Sequence, residues 1–424
     1  MGRAKDRLIQ EMDQGWNFVS EEKFICDRCF RDVDVRAFVR GNAKAIRCSY
    51  CGRRRSYPSA APMNAVIAFI VEGLKSEYGD PSNGCVPWES AEGGWQLPVW
   101  DTYDLFVDQL GEFPSSRQAV KDDLLWSFGD RQWCQRNPFS LSRGEVLNYG
   151  WDEFCEEVKH KSRFVFFTPR EPIKTAAEPE EVEIAGVNFE ESISPSEMLY
   201  VIGELVSELG LITQVQAGTE YVRGRSHGPE KRYNMVAELC PPPEELARAN
   251  RMNPAGISMF YGAADALTAI EEVRDEGGLV SIGYFSLLRE LNVLDLTRLP
   301  PSPGIYNQMY VDDKAGLRFL NRFVSEATKP VARDGSEREH IEYVPTQVVT
   351  EFFRHVFNFD GASRPSQHLD GILYASSKKP GGVNCVLFCN RLGCEGIDEG
   401  AWDDRPKWLR FTQHRTVRVP PKML

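Results

Sequence analysis

Read as a succession of apolar and polar positions, the first 170 residues carry four stretches of helical period. Met63 to Tyr78, Trp100 to Leu110, Ser116 to Phe128 and Gly150 to His160 repeat apolar residues at three- and four-residue spacing, with Gly, Pro and Trp breaks between them. Farther on, Asn253, Pro254 and Gly256 signal a tight turn, and Ile257 to Tyr261 predicts a short strand after it. Asp265 is expected to cap a helix running through Val273. On a helical wheel Ala266, Leu267, Ala269, Ile270 and Val273 form one apolar arc, with Glu271 and Glu272 flanking it on opposite edges. Periodicity does not choose between these two acids. Val383 to Phe388 reads as a buried strand, where Cys385 acts as a small apolar residue, so Cys385, Cys389 and Cys394 are read as packing rather than as a second metal site.

Between these patterned regions the segment Lys174 to Glu191 is rich in acidic residues and contains Pro179, and Ser192 to Pro195 adds turn formers, which predicts an exposed connector. Seven of the nine tryptophans precede residue 152, so the two halves are unlike units. We expect a ribbon with an N-terminal helix (Ala4 to Asp13) over residues 1–60, a helical accessory region over 61–173, a linker over 174–199 and a second domain over 200–424. A second irregular stretch, Pro300 to Gly304, is expected to carry a loop. No apolar run approaches the roughly eighteen residues of a membrane span; the best, Ala65 to Leu74, contains Glu72. No apolar signal core opens the chain, and a cytoplasmic protein is the expectation.

A length of 424 residues allows two or three domains, and 42% hydrophobic with 26% charged residues is ordinary globular composition. The formal net charge of -12 repels polyanions, which disfavours nucleic-acid binding by the surface as a whole. An anionic ligand would need local arginines, and Arg223, Arg225 and Arg251 supply them. Of the eleven cysteines, Cys26, Cys29, Cys48 and Cys51 form two Cys-x-x-Cys pairs separated by eighteen residues. Each pair suits a tight knuckle that directs two thiolates at one ion, which predicts a structural zinc ribbon with all four positions filled by protein. Arg47, Arg53, Arg54 and Arg55 crowd the second pair and are read as a solvated face.

Candidate chemistry concentrates in RMNPAGISMFYGAADALTAIEEV, Arg251 to Val273. Arg251 offers a planar fork of donors suited to phosphate or ribose oxygens, and Tyr261 a flat face with a hydroxyl on its edge. This stretch resembles the core motif of the RES-domain family, in which an arginine, a tyrosine and a helix glutamate recur about ten residues apart. In that register the positions are Arg251, Tyr261 and Glu272. The family's serine lies in a later segment similar to DGILYASS, Asp370 to Ser377, which makes Ser376 the fourth member and Ser377 its rival. YVRGRSH (Tyr221 to His227), LDLTRLP (Leu294 to Pro300) and PGGVNCVLF (Pro380 to Phe388) resemble further family segments, so the likeness runs from about residue 200 onward.

The resemblance implies an α+β protein whose C-terminal mixed-sheet domain is similar to ADP-ribosyltransferase toxins, preceded by a zinc ribbon and a HEPN-like helical domain. The Arg-to-His pair that HEPN ribonucleases use is not found in the helical region, and nuclease chemistry is not carried over. NAD is the implied substrate, with Arg251, Tyr261, Glu272 and Ser376 as catalytic residues and Arg223, Arg225, Arg251 and Tyr261 as NAD contacts. Phosphate or water as acceptor makes the enzyme a phosphorylase or glycohydrolase. The alternatives are a protein ADP-ribosyltransferase and a zinc-ribbon module that binds a nucleotide without turning it over. An antitoxin or immunity protein is the implied partner, and a homo-oligomer is possible. His227 and His368 are read as surface or capping residues, and no His stands at a spacing that would make Ser376 a nucleophile.

Overall fold

The computed structural model describes residues 15–84, 86–91, 93–165, 193–274, 278–310, 314–329, 339–361, 364–397 and 406–420. The expected helix Ala4 to Asp13 and the acidic connector Lys174 to Glu191 lie outside them. The chain forms two compact units that interleave in sequence. Among the described residues the first takes in those within 15–142 and 302–315, and the second those within 143–165, 193–301 and 316–420.

In the first unit, strand β1 (Phe24–Cys26) runs into a 3-10 turn and then helix α1 (Val33–Gly41), capped by Asp32, whose side chain accepts from the amides of Asp34 and Val35. Strand β2 (Ala60–Pro62) pairs antiparallel with β1 and leads into helix α2 (Met63–Lys75). Val66, Ile67, Ile70, Val71 and Leu74 of α2 are fully buried against Ile25, Val35 and Val39, as their three- and four-residue spacing requires. Helix α3 (Gln118–Phe128) completes the helical layer. The expected helix over Trp100 to Leu110 is instead a two-residue strand, one short helical turn and a π-helical turn over Leu105–Gln109. Residues 302–310, 314 and 315 pack in this unit, with Tyr306 buried against Gly73 and Lys314 donating to Ser76 Oγ and to the Ile305 carbonyl.

The second unit begins with helix α4 (Arg143–Glu156), which a π-helical turn extends to Lys161, and helix α5 (Pro195–Glu208), which opens with a capping box of Ser194 and Glu197. An eight-stranded mixed sheet follows, built from β3 (Ile212–Val215), β4 (Glu220–His227), β5 (Phe260–Ala263), β6 (Gly278–Leu287), β7 (Leu291–Asp295), β8 (Gly371–Ala375), β9 (Val383–Leu387) and β10 (Leu409–Val419). Their order across the sheet is β10-β6-β4-β5-β9-β8-β7-β3, and only β7 with β8 is a parallel pair. A parallel pair needs a long crossover, here carrying helix α7 (Lys314–Thr328) and helix α8 (Val344–His355). Trp151 of α4 packs edge-on to Phe319 and Phe323 of α7 and donates to Glu326.

The strand expected over Ile257 to Tyr261 starts three residues later, at Phe260. Asn253 explains the delay, because its buried side-chain amide donates to the carbonyls of Arg248, Pro254 and Ile257 and ties that segment to the turn instead of to the sheet.

Helix α6 (Ala266–Val273) lies on the face of β4, capped by Asp265 as its sequence requires. Gly224 permits the approach. A Cβ there would stand 2.6 Å from the Ala269 carbonyl oxygen. The wheel placed Leu267 on the packed arc, yet Leu267 is 65% exposed while Thr268 is fully buried. The loop after Ser376 covers the Thr268 edge: Lys379 reaches both Thr268 Oγ1 and Asp265, and Gly382 packs on Thr268.

Burial alone would push the Asp265 carboxyl up, but the Thr268 hydroxyl and amide and then Lys379 outweigh it and bring it from 3.8 to about 2. A carboxylate depressed in this way stabilises the fold at pH values above its unfolded value, and the contribution is lost as pH falls through the folded value. In urea unfolding, Asp265→Asn is therefore expected to be less stable than the wild type at neutral pH, with the gap closing between about pH 4 and pH 2. A gap unchanged by acid would show that the charge of Asp265 is immaterial.

Candidate active site and metal cluster

Strand register assembles the site. Val222 of β4 faces Ala263 of β5, Ala263 faces Asn384 of β9, and Asn384 faces Tyr374 of β8, so these four side chains form one row on the sheet face beneath α6. The row floors a cavity of about 740 Å³, whose wall also includes Asn250, Arg251, Tyr261, Glu272, Tyr343, Ser377 and Lys378. That volume falls within the range of small-molecule sites, about 300–1,000 Å³.

The Glu272 carboxylate is held by two neighbours. Its Oε1 accepts from Ser376 Oγ at 2.6 Å and from Asn384 Nδ2 at 2.7 Å. Ser376 is itself pinned, since its Oγ accepts from the backbone amides of Lys378 and Lys379. The Ser376 hydroxyl proton is thus given to Glu272, and this serine serves to position a carboxylate. Ser377 contributes to the cavity wall without that bond. Lys378 Nζ donates to the Glu272 carbonyl at 2.8 Å, closing the last turn of α6. Glu271 points elsewhere and pairs with Arg274 at 3.0 Å. The choice that periodicity left open is made by the edge of the helix that the loop covers, because Thr268 and Glu272 share one edge and Leu267 and Glu271 the other.

Arg251 is anchored by carbonyls at the end of α7, its Nη1 donating to Ala327 O at 2.7 Å and to Lys329 O at 2.6 Å. Its guanidinium lies 5.7 Å from the Tyr343 ring centre. Tyr261 donates its hydroxyl to Asn253 Oδ1 at 2.6 Å and accepts from the Met252 amide, so turn and strand are locked together. Burial drives the Tyr261 hydroxyl far above the ordinary phenol range. Burial and then the Glu272 charge do the same to Tyr374, and both phenols stay neutral.

The two remaining arginines occupy different surroundings. Alternation along β4 gives Val222 and Gly224 to the face under α6 and Arg223 and Arg225 to the opposite one. Arg223 still contributes to the cavity wall, but its guanidinium lies 5.8 Å from the Phe260 ring centre and donates to the Tyr261 carbonyl. Burial lowers its pKa. Arg225 is outside the wall, donating to the Glu238 carbonyl and stacking 4.3 Å from the Tyr233 ring centre. His227 is outside it too, bonded through Nδ1 to Gly228 O and through Nε2 to Ser281 Oγ, and His368 is exposed. Residues that the motif reading left without a role, Asn384 and Tyr374 above all, stand at the centre of the cavity floor. The alternation N-C-V-L in β9 already put Asn384 on the face opposite Cys385, which is packed in the core beneath.

In the first unit, Cys26, Cys29, Cys48 and Cys51 bring their sulfurs within 4.8 Å of one another, the one such group among the described residues. The Sγ distances are 3.8 Å for Cys26 to Cys29, 3.5 Å for Cys26 to Cys51 and 3.7 Å for Cys29 to Cys48. A tetrahedral ion with metal–sulfur bonds of about 2.3 Å requires sulfurs about 3.8 Å apart, so the cluster fits a metal ion. Gly52, at φ +70°, turns the second knuckle so that its amide meets the Cys48 carbonyl.

Two family models match the chain, HEPN/RES N-terminal domain 1 over residues 41–172 and RES domain over residues 225–400. No curated protein and no solved structure matches it. At the level of the family, a RES domain implies an NAD-related, toxin-like enzyme, with NAD as the suggested substrate. No helix among the described residues is long and apolar enough to cross a membrane. With both matches in their expected order, the chain is a RES-domain protein with a HEPN-like N-terminal region.

Proposed function

We propose that the second unit cleaves the bond between nicotinamide and ribose in NAD, with phosphate or water as acceptor, and that the chain acts as a toxin restrained by an antitoxin or immunity protein. The observation that carries this reading is the Glu272 carboxylate held by Ser376 and Asn384 in the same cavity wall as Arg251 and Tyr261. As the C1′–N bond breaks, its electron pair leaves with nicotinamide, now a neutral base, and positive charge grows on the ribose. A carboxylate fixed beside that ring opposes the charge more in the transition state than in the ground state. A phosphate or water oxygen then forms the new bond at C1′, and water gives up one proton in doing so.

In this scheme Glu272 is the catalytic carboxylate and Ser376 positions it. Arg251 grips the pyrophosphate or ribose from its seat on the α7 carbonyls, using Nη2 and Nε, since both of its bonds to the chain are made by Nη1. Tyr261 and Tyr343 supply flat faces. Arg223 braces the Tyr261 carbonyl, and its contribution to the ligand passes through Tyr261. In the first unit, zinc is the ion that four thiolates at tetrahedral spacing favour, and with every position filled by protein its role is structural.

Full-length protein incubated with NAD, with and without phosphate and with a cell extract, is expected to release nicotinamide and to yield ADP-ribose or its phosphate ester. Labelled protein as the sole product would turn the reading to ADP-ribosyl transfer, and no nicotinamide under any condition would reduce the unit to a nucleotide-binding module. Glu272→Gln is expected to lower turnover about 100- to 1,000-fold. An unchanged rate would remove Glu272 from the chemistry.

Ser376→Ala removes one charge-assisted bond and leaves the carboxylate with Asn384 alone, so kcat is expected to fall about tenfold or more. Retention of the full rate would show that Ser376 does not orient Glu272. In the first unit, Cys29→Ser is expected to abolish bound zinc, read by elemental analysis, and to lower the melting temperature. A metal content equal to that of the wild type would exclude the four-thiolate site.

A further inference from the structure

From residue 35 to residue 71 the chain carries seven lysines and arginines and no Asp or Glu, although its net charge is -12. One of the seven, Arg40, pairs with Asp27 at 3.4 Å. Lys44, Arg47, Arg54 and Arg55 are exposed, and no carboxylate among the described residues pairs with them.

Backbone pairing gathers three of these on one hairpin. Around the second knuckle the Cys48 amide donates to the Arg53 carbonyl and the Arg55 amide to the Ile46 carbonyl, each at 2.8 Å, which sets Arg47 directly opposite Arg54. Like charges facing each other across two strands repel. Alternation points both away from the face on which Cys48 joins the sulfur cluster, so the thiolates are not their counter-charge. An anion from outside the chain would relieve the pair. A cavity of about 370 Å³ adjoins it, with Phe24, Ile46, Arg47 and Ser49 in its wall and Glu22 as the one acid there. Tyr57, two residues past Arg55, is 58% exposed. Cations, an exposed ring and a small recess thus share one part of the first unit.

We propose that this hairpin binds single-stranded nucleic acid, with Arg47, Arg54 and Arg55 on its phosphates, one base stacked on Tyr57 and another in the cavity beside Arg47. Arginine forks suit phosphate oxygens, and a ring beside them takes an unpaired base of any sequence. An acidic protein segment would meet the same arginines, but Glu22 repels carboxylates at the recess, whereas a base offers it a neutral ring with N–H donors. A duplex keeps its bases stacked and fills neither place. The net charge of -12 repels any polyanion elsewhere on the surface, so binding rests on these few contacts and is steeply weakened by salt. Nothing in it depends on the chemistry of the second unit.

The test titrates full-length, zinc-loaded protein into fluorescein-labelled single strands of about 12 nucleotides, oligo-dT and oligo-U, and into a duplex of the same length, following anisotropy. Labelled oligoglutamate is the fourth probe. Between about 50 and 200 mM salt the single strands are expected to bind with a log–log slope of about -2, the value for three phosphate contacts. The double variant Arg47→Gln/Arg54→Gln is expected to bind about tenfold more weakly or worse, with the slope falling to about -0.7. Tyr57→Ala is expected to lower affinity by about fivefold or more and leave the slope in place. Arg418→Gln, exposed on β10, is the control and binds as the wild type does.

Zinc content and melting temperature establish that the double variant is folded, and Arg54→Gln alone, with a slope change of about 0.7, replaces it if it is not. The dT and U arms decide between DNA and RNA. A duplex bound as tightly as the single strands, or a folded double variant that binds as the wild type does, overturns the proposal. Oligoglutamate bound in place of both nucleic acids would assign the surface to an acidic protein and overturns it equally.

Discussion

A carboxylate on a helix edge keeps one direction only when donors hold it, and here two donors arrive on one oxygen of Glu272 from the ends of two neighbouring strands. That requirement governs the middle of the second unit. Ser376 can reach Glu272 only because β8 ends where the loop folds back over the Thr268 edge of α6, and Asn384 only because β9 returns directly beneath it. The helix in turn must lie close to the sheet. Gly224 is what permits this, for any side chain at that position would meet the Ala269 carbonyl and lift Glu272 away from both donors.

Arg251 is held by a different device with the same purpose. The carbonyls at the end of a helix lack internal partners, and α7 spends two such groups near its last turn on one guanidinium nitrogen. The turn after Arg251 is knitted by Asn253, and Gln347 of α8 donates to the carbonyls of Asn250 and Asn253 on its other side. A long flexible cation is thereby fixed at its base while its remaining donors stay available. The crossover helices that the parallel β7–β8 pair demands thus supply the anchors of the cation as well as a covering layer.

How much of this was legible in the sequence depended on whether a signal was local. Two Cys-x-x-Cys pairs announce a four-sulfur cluster because the geometry is contained in each knuckle, and Asp265 announces a cap because the helix it starts is adjacent. Glu271 against Glu272 was not decidable from periodicity, and the apolar Leu267 pointed to the wrong edge. A loop more than a hundred residues away covers Thr268 instead. The shortened strand after Gly256 escaped notice for a similar reason, since Asn253 captures the Ile257 carbonyl that a propensity argument would assign to the sheet. Asn384 lay inside a quoted motif, and its parity against the core residue Cys385 was visible. Its missing partner was not, because an orphan acceptor exists only in three dimensions.

The same parity argument locates two of the cations. Three arginines were expected to offset the net negative charge of the chain at an anionic ligand, and of the two that share a face of β4 only Arg223 contributes to the cavity wall. Both alternate with Val222 and Gly224, which lie beneath α6, and both are engaged with aromatic rings and backbone carbonyls on the other side of the sheet. With their donors turned to Tyr261 and to Glu238, they hold the strands and the short helix that frame the cavity. Positive charge in the cavity wall comes from Arg251, from Arg223 and from Lys378, whose ammonium sits on the Glu272 carbonyl. The cavity wall so combines these cations with a fixed carboxylate and two neutral phenols, Tyr261 and Tyr374.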